Sequence, residues 1–288
     1  MSAAGEIARR APGSRRWWLF LRKRVAVGCG VLLLALVLVA LFADAIAPFD
    51  PSATDLRAIL LAPGSDGHLL GTDRLGRDVL SRLIVGSRVS IVAGIGATGL
   101  SLLVALPIGL VFGYVGGWLD WLVQRAVEVL LSIPPLILIL VVAGILGPSL
   151  RNAIIALGAF FVPAFLRIIR AEVRAVATGP LVEAERALGI APARIILRHV
   201  LPAVAPAIIV EASLSIGIAI VAEASLAFLG LGAPPPTPSW GSMIRDGFDA
   251  IQTHTWLVIV PSLAVAVTVL AVNILGDGLR DALGRVDR

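Results

Sequence analysis

Apolar runs of bilayer length alternate with short polar stretches along this chain. Val25 to Ala43 is uncharged for 19 residues and Val89 to Leu119 for 31. Val129 to Leu150 is uncharged again, with Pro134 and Pro135 near its start. Asn152 to Leu166 is shorter, and Arg167 and Arg170 can snorkel from its end. Pro202 to Leu231 is apolar except for Glu211 and Glu223, and Ile251 to Gly276 closes the series. Because about 20 apolar residues cross a hydrocarbon core, the pattern predicts an all-α integral membrane protein with six transmembrane helices. The 31-residue run suffices for one tilted helix and a turn. A Pro pair kinks a helix and frees backbone carbonyls, which only protein or water can then satisfy at membrane depth.

Composition agrees with the pattern. The 288 residues are 58% hydrophobic and 15% charged, and mean hydropathy is +0.96. A soluble domain carries about a quarter charged residues and could not hide this much apolar surface. The net charge of +5 fits basic cytoplasmic loops better than a nucleic-acid surface. Cys29 is the single cysteine, which excludes an intrachain disulfide.

The arginines orient the spans. With the amino terminus inside, 17 of the 24 basic residues fall on inner segments and 7 on outer ones. Both termini are therefore expected to be cytoplasmic. Five of the outer arginines share the polar stretch from Asp44 to Arg88, where Asp50, Asp55, Asp66, Asp73 and Asp78 balance them. That stretch reads as loop or short surface helix. The basic start followed by Ala45-Ile46-Ala47 also resembles a signal peptide, but 19 uncharged residues exceed the usual apolar core of about 7–15, so a retained first span is expected.

The most informative polar segment lies between spans four and five. It reads Leu181-Val182-Glu183-Ala184-Glu185-Arg186-Ala187-Leu188-Gly189, then Ile190-Ala191-Pro192, and on to Leu201-Pro202. Gly189 should end one helix, Pro192 open another and Pro202 stop it. Leu181, Ala184 and Leu188 share one face, with Glu183, Glu185 and Arg186 elsewhere. Such a helix pair suits either a groove on a soluble partner or the membrane interface, and the residues alone do not choose.

Other features leave alternatives open too. Gly109, Gly113 and Gly117 permit close helix approach, either at a subunit interface or within the chain. Glu211 and Glu223 are costly inside a span and suggest a translocation pathway or a hydrogen-bonded partner. Twelve residues at about 100° each place them some 120° apart. Glu223, near the outer boundary, fits a structural bond better, and Glu211 fits either role. Asp73, Arg77 and Asp78 could order the outer loop or dock a partner. No G-x-x-x-x-G-K-[ST] occurs, the three histidines are scattered, and no nucleophile has a base nearby, so no catalysis, nucleotide site or metal is expected in this chain.

The run Glu183 to Pro202 resembles the EAA loop of ATP-binding-cassette importer permeases. Glu183, Ala184, Gly189, Leu201 and Pro202 match; Glu185 replaces an Ala, and His199 stands where many relatives carry Ile. Arg198-His199-Val200-Leu201-Pro202 is similar to the peptide-importer branch. Leu70 to Arg82, with Gly71, Thr72, Asp73, Gly76, Arg77 and Asp78, resembles the external-loop signature of the dipeptide/oligopeptide/nickel permease group. Phe228 to Gly241, Asp277 to Asp281 and Ala47 to Pro51 resemble its C-type subunit. The resemblance covers nearly everything after Arg22.

It implies the type I importer permease fold. Its divisions would be a basic cytoplasmic amino terminus (1–24), a first span (25–48), an extracytoplasmic loop (49–88), a five-helix core (89–278) and a cytoplasmic carboxyl end (279–288). The core would include a cytoplasmic coupling loop at 171–202, in which Glu183, Ala184, Glu185, Arg186, Gly189 and Pro202 carry the coupling to the ATPases. It further implies a bacterial or archaeal plasma membrane, a second homologous permease forming a heterodimer, two ATPase subunits that hold ATP and Mg, and an extracytoplasmic solute-binding protein. The substrate would be a di- or oligopeptide. The rivals are another small solute, such as a nickel chelate or modified peptide, and an ATP-independent secondary transporter. The last would often show an internal repeat, and none is apparent.

Overall fold

A computed structural model describes residues 23–65 and 67–284. Arg9 to Arg22, Asp66, Arg285 and Arg288, used above for orientation and loop balance, lie outside the described residues. Those described form helices with no strand among them. In chain order they are α1 (Arg24–Leu41), α2 (Ala43–Ile46), α3 (Val79–Val115), α4 (Gly117–Ser132), α5 (Pro135–Leu146), α6 (Leu150–Ala177), α7 (Pro180–Ala187), α8 (Pro192–Ile195), α9 (Leu201–Phe228), α10 (Trp240–Phe248) and α11 (Trp256–Gly284). A π-helical turn, Ile196–Val200, joins α8 to α9.

Five of these segments are long and apolar enough to cross a bilayer, and α4 with α5 make a sixth only as a pair bent by 92°. The Pro pair explains the bend. Ile133 leaves helical geometry at ψ 131°, as a residue before proline must, and Pro135 opens α5. The third span is therefore broken rather than kinked.

Two expected boundaries change. The outer loop was expected to run to residue 88, yet α3 starts at Val79. Asp78 caps it, accepting from Ser81 N at 2.7 Å. Arg82 and Arg88 ride inside the helix because partners distant in sequence meet their charge: Asp73 and Asp246 for Arg82, Asp44 for Arg88. Pro202 was expected to stop a helix, but it sits in the first turn of α9 and the helix runs through it. The π turn before it, in which Leu201 N donates to Ile196 O, reorganises the bonding where proline has no donor.

The core is a bundle of α3, α6, α9 and α11, with α1 packed on α3 and α11. Small residues set the spacing. A Cβ on Gly109 would lie 2.7 Å from Ile169 Cγ2, and one on Gly113 3.0 Å from Val173. Ser101 Oγ donates to Gly158 O across the same interface at 3.0 Å. Gly109 and Gly113 thus serve packing within the chain, whereas Gly117 has open space around it. Gly109→Ala should cost about 1–2 kcal/mol through overpacking against branched Ile169, measured as a lowered unfolding temperature in detergent; an unchanged midpoint would show that the interface relaxes freely.

Candidate functional site

The two ends of the bundle are built differently. One end carries the loop between α2 and α3, pinned by buried polar groups. Asp73 accepts from Arg77 Nε at 2.7 Å and from the backbone of Leu75 and Arg77. Arg77 reaches on to Asp246 of α10 at 3.1 Å. His68 Nδ1 lies 2.9 Å from Asp78. Thr72 Oγ1 accepts from Leu61 N at 2.9 Å. Gly71 and Gly76 both have positive φ, and a Cβ on Gly76 would lie 1.8 Å from Asp55 O, so only glycine fits. The six signature residues converge, and Thr72, Asp73, Arg77 and Asp78 are buried. Buried side chains cannot themselves meet a docking protein, so here they order the loop. Asp246 completes the network and has no sequence motif to announce it.

The opposite end carries α7. Its N-terminal half is opened by Pro180, and Gly189 ends it in the left-handed region at φ +73°. Val182 and Glu185 face inward and are buried. Glu183 and Ala184 are exposed, as are Leu181 (62%) and Leu188 (79%) and, beyond the turn, Leu197 (64%). Two side-chain attachments hold the unit. The Arg186 guanidinium stacks on the Tyr114 ring at 4.4 Å and donates to Tyr114 Oη at 3.1 Å. Glu185 Oε1 lies 2.7 Å from His199 Nδ1, across the turn. The two departures from the EAA pattern, Glu185 and His199, therefore lie in contact. Nearby, buried Asp120 of α4 accepts from Arg170 Nη2 at 2.6 Å and Arg174 Nη1 at 3.1 Å, tying α4 to α6. Pro202 is exposed at the start of α9.

Between the ends, α9 keeps one face open. Glu211, Leu214, Ile218, Val221 and Ser225 recur every three or four residues and so form one stripe, which Leu229 extends just past the helix end. None of them is buried, and Ile218, Val221 and Leu229 are exposed. Two cavities lie along this stripe. One, of about 410 Å³, is lined by Val221, Ser225 and Leu229 with residues of α10 and α11. The other, of about 430 Å³, is at the α7 end, where Glu211 faces Glu172 of α6 and Arg280 of α11. Glu223 lies off the stripe. It is fully buried and accepts from Ser90 Oγ at 3.2 Å. The two glutamates thus part company: Glu211 borders an open cavity and Glu223 is packed between helices.

Known proteins share this organisation. Residues 105–286 match the family described as binding-protein-dependent transport system inner membrane component. Residues 12–63 match the N-terminal TM domain of oligopeptide transport permease C. The di/tripeptide transport system permease protein DppC of Pseudomonas aeruginosa is 40% identical over 95% of this chain and 92% of its own length. The glutathione transport system permease protein GsiD of Pectobacterium atrosepticum is 38% identical over 95% and 91%. A solved structure titled as inward facing conformations of the MetNI methionine ABC transporter matches with a TM-score of 0.58 at 21% identity, over 72% of this chain and 97% of that one, a likeness of fold.

Proposed function

Because the chain belongs to the family of binding-protein-dependent transport inner-membrane components, we propose that it forms half of the translocation pathway of an ATP-driven importer of di- or oligopeptides. In this reading it pairs with a second, homologous permease in a bacterial or archaeal plasma membrane. A solute-binding protein delivers peptide on the outer side, and two ATPases bind ATP and Mg on the cytoplasmic side, where both termini of this chain lie. This chain itself performs no catalysis.

The observation that carries the reading is α7. It is a polar helix whose leucines point away from the protein, and its inner side is fastened through Arg186 to the end of α3 and through Glu185 to the turn before α9. A partner that moves α7 therefore pulls on two core helices at once. Glu183, Ala184 and Leu188 supply the surface, Glu185 and Arg186 the attachment, and Gly189 the turn. Pro202 sits where the movement enters α9. The open stripe on α9 supports a pathway role for Glu211, and the burial of Glu223 supports a structural role for that residue instead.

A modified peptide is the second reading, favoured by relatives named for glutathione that match about as well as those named for dipeptides. Reconstitution with the neighbouring permease, the ATPases and the binding protein tests both readings. ATP-dependent uptake of dialanine but not glutathione supports the first, the reverse supports the second, and uptake without ATPase subunits would refute the importer assignment.

A further inference from the structure

The cavity at the α7 end has a charge pattern that a passage for small solutes in general does not need. It brings one carboxylate from α6, Glu172, one from α9, Glu211, and one guanidinium from α11, Arg280, to a single space of about 430 Å³. That volume lies within the range of small-molecule sites. None of the three makes an ion pair with another group among the described residues. Glu211 is half-buried, while Glu172 and Arg280 are exposed to solvent at the rim of this space. Unpaired charges of both signs held on three separate helices, around an otherwise apolar lining of Ile168, Val210 and Leu283, are complementary to a ligand with an ammonium group and a carboxylate.

We propose that this cavity is a binding site for the two free termini of a short peptide: Glu211 and Glu172 take the α-ammonium and Arg280 takes the α-carboxylate. The inference rests on the importer reading and adds a site in the permease that reads both ends of its cargo. A carboxylate binds an ammonium as a point charge, while Arg280 can grip the terminal carboxylate with two parallel donors. Since the ligand's side chains meet only the apolar lining, the site selects for free ends and tolerates varied sequence.

Equilibrium binding of radiolabelled dialanine, N-acetyl-dialanine and dialanine amide is measured on the full complex in nanodiscs, without binding protein or ATP. Saturable binding of dialanine is expected, with each blocked analogue about tenfold weaker. Glu211→Gln should weaken dialanine and its amide but leave the acetylated peptide unchanged. Arg280→Gln should weaken dialanine and the acetylated peptide but leave the amide unchanged. This selectivity by peptide end separates a direct contact from a general structural defect, which would weaken all three alike. Equal binding of free and blocked peptides, uniform losses in both variants, or no saturable dialanine binding would overturn the site. ATP-driven uptake is measured on the same complexes reconstituted into proteoliposomes with binding protein and ATP: uptake that persists without end-selective binding sinks the site alone, whereas absence of uptake of both dialanine and glutathione by the unmodified complex sinks the importer reading beneath it.

Discussion

Replacing Leu181 and Leu188 together by Arg abolishes ATP-driven uptake while the protein reaches the membrane at its normal level. Both side chains are mostly exposed and add little to the packing of the chain, so the fold should survive their loss. On the proposed reading they enter a groove on the ATPase. Burying a leucine side chain contributes about 1.5–3 kcal/mol, and few interface residues carry most of the affinity. Two substitutions that also force desolvation of a charge reduce ATPase association on the order of a hundredfold or more. Co-purification of the ATPases with the variant is the direct measurement. Wild-type recovery and wild-type uptake together would show that α7 is not the coupling surface. Substituting Val182, on the other side of the same helix, acts differently: that residue is buried, so its loss lowers stability before it touches coupling.

The leucine face of α7 was legible in the sequence because Leu181, Ala184 and Leu188 at helical spacing, ended by Gly189, form a local pattern, although that pattern alone did not choose between a partner's groove and the membrane interface. The same holds for the spans. Groups whose meaning is set by pairing across the chain could not be read this way. Arg82 and Arg88 looked like loop residues because charges interrupt an apolar run, yet Asp246 and Asp44 meet them from elements far away in sequence. Glu211 and Glu223 are both lone acids in one apolar helix. Only the neighbours of α9 distinguish them, placing Ser90 against one and an open cavity beside the other. Pro202 misled for a different reason. Its consequence depends on the turn before it, and nothing in Ile196 to Val200 announces a π helix. Glu185 and His199 looked like departures from a motif, and become intelligible only as a pair 2.7 Å apart.

Asp120 is the residue of this kind on which stability should depend most. It is the only carboxylate among the described residues that meets both Arg170 and Arg174, and it is 3% exposed. Asp120→Ala leaves two guanidiniums beside each other, one of them, Arg170, mostly shielded from water. Removing one partner of a fully buried pair costs about 3–5 kcal/mol. Arg174 is half-exposed, so solvent returns part of that and about 3 kcal/mol is expected. For a chain of this size that corresponds to a melting temperature lowered by roughly 5–10 °C. If the loss comes from unneutralised charge and not from the missing side-chain volume, Arg170→Met in the same background should recover part of it, so that the two substitutions are far from additive. Additive losses would mean that Asp120 acts by packing. The consequence for transport follows from position. Asp120 ties the broken span to α6, and α6 leads within three residues into α7. On the proposed reading, a loosened tie weakens the link between ATPase movement and the bundle, and the variant should hydrolyse more ATP per peptide imported even below its melting temperature.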